Sequence, residues 1–181
     1  MPHMITICTG NICRSPAAEI ALQGYLGDAV TTSSAGTHAL VGHGVPDQMQ
    51  REMASDGLVG NAHAARQFTA ALAKEAHLIV AMSASHRRWV VSEAPAALKK
   101  TFLLMEIAAA ARTGAPLPGD STYERAANIG QAVIDYRPQL AALTIDDVPD
   151  PYGGSDEDYA ESFTMIRDAV RDIAVWVNRP A

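Results

Sequence analysis

The string Cys8-Thr9-Gly10-Asn11-Ile12-Cys13-Arg14-Ser15-Pro16 sets a cysteine and an arginine with five residues between them. That spacing lets the backbone curl until several N–H groups and the guanidinium point at one centre, where a tetrahedral dianion fits above the sulfur. The string reads as a phosphate-binding loop that carries its own nucleophile, Cys8. Gly10 and Asn11 are the residue types that most readily accept the positive φ of a tight anion-binding concavity. Arg14 brings a planar fork of donors suited to two phosphate oxygens, which lysine lacks. Ser15 followed by Pro16 predicts a helix start with Ser15 as N-cap, and the positive end of that helix favours both bound phosphate and the thiolate form of Cys8. Read alone, the two cysteines also fit a buried pair, a local disulfide or half of a metal site.

A thiolate cannot protonate the oxygen that leaves when a phosphate ester is cleaved, so a second group is required. Val148-Pro149-Asp150-Pro151-Tyr152-Gly153-Gly154 offers one. Asp150 lies between two prolines, in a segment that can be neither helical nor centrally paired, so its carboxyl is carried on a stiff loop. By itself an Asp-Pro pair most often marks a turn.

The elements that must position these groups are readable in order. Met4–Ile7 is a buried strand ending at the loop, and 17–26 is a helix stopping at Gly27. Residues 30–36 form a second strand, and 37–45, rich in small residues, a mobile loop. A helix over 46–56 ends at Gly57. Thr69 caps an Ala-rich helix leading into the strand Leu78–Met82; Ser85 caps the next helix, and Thr101–Leu104 is the fourth strand. A helix runs over about 121–136, and Pro138 interrupts before another short apolar stretch. Ser155 to Asp158 is a capping box for a last helix whose apolar stripe runs from Tyr159 to Val177. Strands alternating with helices imply an open, mostly parallel α/β sheet.

At 181 residues the chain has the length of one domain. A net charge of −6 argues against nucleic acid or an anionic membrane surface as partner. The absence of a long apolar run or a cleavable leader, with two cysteines in one short loop and none elsewhere, fits a cytoplasmic protein without a disulfide framework. The six histidines show no metal-binding spacing, and neither metal nor cofactor is expected.

The loop Cys8–Pro16, Ser34-Ala35-Gly36-Thr37, Ala64-Ala65-Arg66 and Asp150-Pro151-Tyr152 together resemble, in that order, the low-molecular-weight protein tyrosine phosphatases. The bacterial members are most similar, including those linked to exopolysaccharide-assembly kinases, through Ala39-Leu40-Val41 and the pattern around Met82 and His86. The resemblance implies a flavodoxin-like fold: a four-stranded parallel sheet with helices on both faces, in a single domain over 1–181, with the family's variable region enlarged at about 107–145. It implies Cys8 as nucleophile, Arg14 as phosphate clamp and Asp150 as general acid and base, without a cofactor. Thr9, Gly10, Asn11, Ile12, Cys13 and Ser15 are then the substrate-binding positions of the loop. Asn11, Ser15, Ser34 and His63 match the polar network that holds it in shape, and Ser15 also donates to the thiolate. Cys13 is placed to trap oxidised Cys8 as a reversible disulfide.

A narrow cleft with the nucleophile at its base favours phosphotyrosine, with Leu40 and Tyr152 as candidate walls. The partner implied is a phosphotyrosine-containing protein, such as a tyrosine kinase of exopolysaccharide assembly. Arginine phosphatases of the family resemble the chain over 150–155 but carry threonine where this chain has Ile12, whose apolar side chain cannot hydrogen-bond a phosphoguanidine. Thiol-coupled arsenate reductases need further cysteines that this chain lacks. A non-catalytic phosphoprotein-binding or redox-sensing module is the reading from another class.

Overall fold

The computed structural model describes residues 1–179. Its centre is a parallel four-stranded sheet in the order β2-β1-β3-β4, formed by β1 (His3–Cys8), β2 (Thr31–Gly36), β3 (Leu78–Ala81) and β4 (Thr101–Leu103). β1 pairs with β2 from His3↔Thr31 to Cys8↔Gly36 and with β3 from Met4↔Leu78 to Ile7↔Ala81. Cys8 therefore sits at the carboxyl end of an interior strand, where the loops of a parallel sheet gather.

The interior strands, β1 beyond His3 and β3 throughout, are buried on both faces, and their side chains divide by alternation. Ile5, Ile7 and Ile79 join Phe68, Ala73 and Val90 under α3 (Ala70–Glu75) and α4 (Ala84–Glu93). Met4, Leu78, Val80 and Phe102 join the larger cluster beneath α1 (Arg14–Leu26), α5 (Leu104–Arg112), α6 (Thr122–Leu140) and α7 (Asp156–Asn178). The remaining helix, α2 (Asp47–Ser55), buries Met49 and Met53 in that second cluster. Helices on both faces follow from strands with no polar side to offer.

Several boundaries differ from the sequence expectation. The first helix begins at Arg14 with Cys13 at the N-cap, not at Ser15, and Cys13 makes no side-chain capping bond. Its first-turn amides are thus left for an anion. Ser83, not Ser85, caps α4 by accepting the His86 N–H. α6 continues through Pro138 to Leu140, with the proline in its last turn. The segment 107–145 adds Ile129, Val133 and Leu140 to the same core as the sheet. The 37–45 loop is stitched down by backbone bonds, His38 N–H to Thr9 O and Leu40 N–H to Gly10 O, both 2.9 Å, and Gly42 N–H to Ala65 O at 2.8 Å.

Ser155 and Asp158 cap α7 reciprocally, as their spacing predicts. That cap holds the start of the helix just after Asp150. Among the described residues no helix is long and apolar enough to cross a membrane.

Candidate active site

Asn11 is the residue on which the loop turns. Its φ of 56° lies in the left-handed region, and it is the one non-glycine of the described chain there. Gly10, expected to share this conformation, does not have a positive φ. It lines the cavity between Ile12 and Leu40 instead.

The Asn11 side chain organises the hydrogen bonds around the sulfur. The Arg66 backbone N–H, which can only donate, meets Oδ1 at 2.8 Å and so sets the orientation of the amide. Nδ2 then donates to Ser15 Oγ at 3.0 Å and to Ser34 Oγ at 2.8 Å. Each hydroxyl, having accepted, still has one proton to place. Ser34 gives its proton to Glu19 Oε2 at 2.5 Å, and Ser15 lies 2.9 Å from Cys8 Sγ. The network therefore directs the Ser15 proton onto the sulfur, which suits a thiolate. The loop backbone is held as well, because His63 Nε2 bonds Asn11 O at 2.7 Å and Arg66 Nε donates to Ser34 O at 2.8 Å.

Gly36, at the end of β2, permits this closeness. A Cβ built there would overlap the carbonyl oxygen of Thr9.

The two loop cysteines are free thiols, both buried. Burial first, and the neighbouring Cys8 next, push the Cys13 thiol up to about 12, so Cys13 is protonated at neutral pH.

The segment around Asp150 reaches the same place from the other end of the chain. Val148 is buried, its N–H donating to Met82 O at 2.9 Å and its carbonyl accepting from Arg14 Nη1 at 3.2 Å. Two residues later Asp150 Oδ2 lies 2.7 Å from Arg14 Nη2, with the Asp150 side chain half exposed and Arg14 buried. Asp150 Oδ1 accepts the Tyr152 N–H at 3.2 Å, which closes the turn between the prolines. Arg14 Nε is a buried donor without a protein partner, the kind of group a phosphate oxygen satisfies.

A cavity of about 170 Å³ brings together Cys8, Thr9, Gly10, Ile12, Cys13, Arg14, Leu40, Asp150 and Tyr152. Asn11, Ser15, Ser34 and His63 stand behind it as its support, in the bonds above. Three participants escaped the sequence reading. His38, exposed at the cavity mouth with its ring tilted against Trp89, has no marking pattern around it. Glu19 lies on the α1 face that meets Ser34, a relation made only by packing α1 on β2. His86, buried, bonds Thr9 Oγ1 through Nε2 at 2.9 Å. Burial, and then the cation of Arg14, lower it to about 4. Among the described residues there is no group of three or more His, Cys, Asp or Glu side chains that could hold a metal.

Comparison with known proteins identifies the family. Residues 3–127 match the family model of low molecular weight phosphotyrosine protein phosphatases. A low molecular weight protein-tyrosine-phosphatase of Streptomyces coelicolor is 32% identical over 169 residues, covering 90% of this chain and 85% of that one. Among solved structures, the tyrosine phosphatase Wzb of Escherichia coli K30 in complex with sulphate is 28% identical with a TM-score of 0.71, covering 96% of both chains. The YwlE arginine phosphatase of Geobacillus stearothermophilus, 23% identical with a TM-score of 0.71 over 97% of this chain and 92% of its own, shares the fold. By the match of residues 3–127 and by its likeness to the Streptomyces coelicolor protein, the chain belongs to the low molecular weight phosphotyrosine protein phosphatase family.

Proposed function

We propose that the protein hydrolyses phosphotyrosine in proteins through a phosphocysteine on Cys8. The observation that carries this reading is that Cys8, Arg14 and Asp150, drawn from opposite ends of the chain, line one small cavity. Cys8 attacks phosphorus in line while the loop amides and Arg14 hold the equatorial oxygens. Asp150 protonates the departing phenolate, and as a carboxylate it then takes a proton from the water that hydrolyses the phosphocysteine. Ile12 and Leu40 provide apolar contact for the aryl ring, and Tyr152, largely exposed, stands at the rim. The partner on this reading is a phosphotyrosine-containing protein, with tyrosine kinases of exopolysaccharide assembly as the first candidates by resemblance.

The specific rival is an arginine phosphatase, favoured by the Asp150-Pro151-Tyr152-Gly153-Gly154-Ser155 sequence. Ile12 counts against it, being apolar and 6% exposed where a phosphoguanidine would need a hydrogen-bonding side chain. Hydrolysis of matched phosphotyrosine and phosphoarginine peptides by wild type and Cys8→Ser decides the matter. The proposal expects rapid tyrosine dephosphorylation that is lost in Cys8→Ser. Preference for phosphoarginine would replace it, and equal, negligible rates in both proteins would leave a binding or redox module.

A further inference from the structure

The turn joining β3 to α4, Met82 to His86, touches both halves of the site without contributing an atom to the cavity wall. On the acid side, Val148 N–H donates to Met82 O at 2.9 Å, and Ala84 N–H, at the start of α4, donates to Asp147 Oδ1 at 2.8 Å. Asp147 is three residues before Asp150. On the nucleophile side, His86 lies between Ser83 Oγ, 2.8 Å from Nδ1, and Thr9 Oγ1, 2.9 Å from Nε2. Thr9 directly follows Cys8, and its carbonyl accepts the His38 N–H at 2.9 Å, so both faces of this loop residue are tied. Met82, Ser83, His86 and Val148 are all buried.

Given the phosphatase reading above, on which this rests, we propose that the Met82–His86 turn is a bracket that aligns the two loops, with His86 positioning the nucleophile loop through Thr9 and Asp147 positioning the acid loop through the Ala84 amide. Neither residue touches substrate. The bracket suits the chemistry because in-line transfer requires Asp150 and Cys8 on opposite sides of one phosphorus, and a displacement near 1 Å costs up to about a hundredfold in rate. β3 is the strand hydrogen-bonded to β1 on the side of Val148, so one rigid element can reference both. His86 is facing Arg14, Asp150 and Asp147, and burial and Arg14 keep it neutral at neutral pH. A neutral imidazole has one donor and one acceptor nitrogen, which matches its two hydroxyl partners whichever tautomer is present.

The two arms make different kinetic predictions. In Asp147→Ala, kcat/KM for phenyl phosphate, a poor leaving group, falls about tenfold or more, while that for 4-nitrophenyl phosphate changes little. Asp147→Asn, which keeps an acceptor for the Ala84 amide, recovers most of the loss. In His86→Ala, kcat/KM falls to the same extent for both esters and inorganic phosphate inhibits more weakly. Thr9→Val reproduces that effect, the double variant is no worse than either single one, and His86→Gln partly restores it. Should His86→Ala fail to fold, as judged by circular dichroism, Thr9→Val and His86→Gln carry the same comparison. Loss in Asp147→Ala that ignores the leaving group, additive losses in the Thr9 and His86 pair, or no loss in any variant overturns the bracket. A wild type that hydrolyses neither ester overturns the phosphatase reading and the bracket with it, whereas an active wild type with unaltered variants overturns the bracket alone.

Discussion

Arg14 and Asp150, 136 positions apart, form an ion pair of 2.7 Å in which the arginine is buried and the aspartate half exposed. The pair joins the group that would clamp phosphate to the group that would protonate the leaving oxygen. On the proposed reading, an incoming phosphate would compete with the carboxylate for the same guanidinium, and binding of the dianion would release Asp150 towards the ester oxygen.

Asp150→Asn separates these roles. Inorganic phosphate should inhibit this variant more strongly than wild type, by up to about fivefold, since solvent at the half-exposed carboxylate screens the pair to about 0.2–1 kcal/mol. Turnover of phenyl phosphate should fall by about 10² or more, as expected for loss of a general acid. Steady-state kinetics with phosphate as competitive inhibitor measures both, and unchanged or weaker inhibition would show that the ion pair does not compete with phosphate.

Cys13, held protonated by burial and by Cys8, should be inert where Cys8 reacts. Iodoacetate at pH 7 is expected to place one label on the chain, located on Cys8 by fragment-ion sequencing of the peptide that holds both cysteines, and Cys13→Ser should retain most activity. Peptide mapping that finds Cys13 labelled first would contradict this assignment. After peroxide, loss of water between a Cys8 sulfenic acid and the Cys13 thiol gives an intraloop disulfide; a mass spectrum without it rejects the protective role.

Gly36→Ala should be costly out of proportion to its one methyl group. Its Cβ would meet the Thr9 carbonyl, which is backbone and cannot swing aside. A loss of about 1–3 kcal/mol in denaturant unfolding is expected, with a larger proportional loss of activity because the nucleophile loop is the part displaced. Wild-type stability in this variant would mean that β2 shifts freely against the loop.

His86 makes stability depend on acid. Its folded value, about 4, lies below its ordinary 6.5. Between these values the unfolded chain binds the extra proton, so stability falls as pH drops from 6.5 to 4, by up to about 3 kcal/mol. Above pH 6.5 this group contributes no slope. Denaturant unfolding of wild type and His86→Gln across that range should show the difference, and parallel curves would place the imidazole in contact with water.

Much of the architecture was legible because it depends on local pattern. Met4–Ile7 and Leu78–Met82 are apolar without a polar face, which demands burial on both sides and hence helices on both faces. The Ser155–Asp158 cap and the stripe from Tyr159 to Val177 follow helix geometry alone. Ser15 was misplaced as an N-cap because a serine before proline satisfies that role locally, whereas here the Cys8 sulfur and the Asn11 amide claim its hydroxyl. Ser85 yielded to Ser83 for a related reason, since β3 ends early enough for Ser83 to start the helix.

The sequence by itself determined the chemistry on offer: a thiol, a guanidinium six residues on, a carboxyl between prolines, and a β-branched apolar residue in the loop. These are covalent identities and short-range spacings, which need no folding to be read. Only the tertiary structure decided that Asp150 lies on Arg14, that the Asn11 amide points the Ser15 proton at the sulfur, and that His86 reaches Thr9 from α4. Each of those relations spans elements far apart in the chain, and their ångström-scale distances depend on strand register and helix packing, to which every buried side chain contributes.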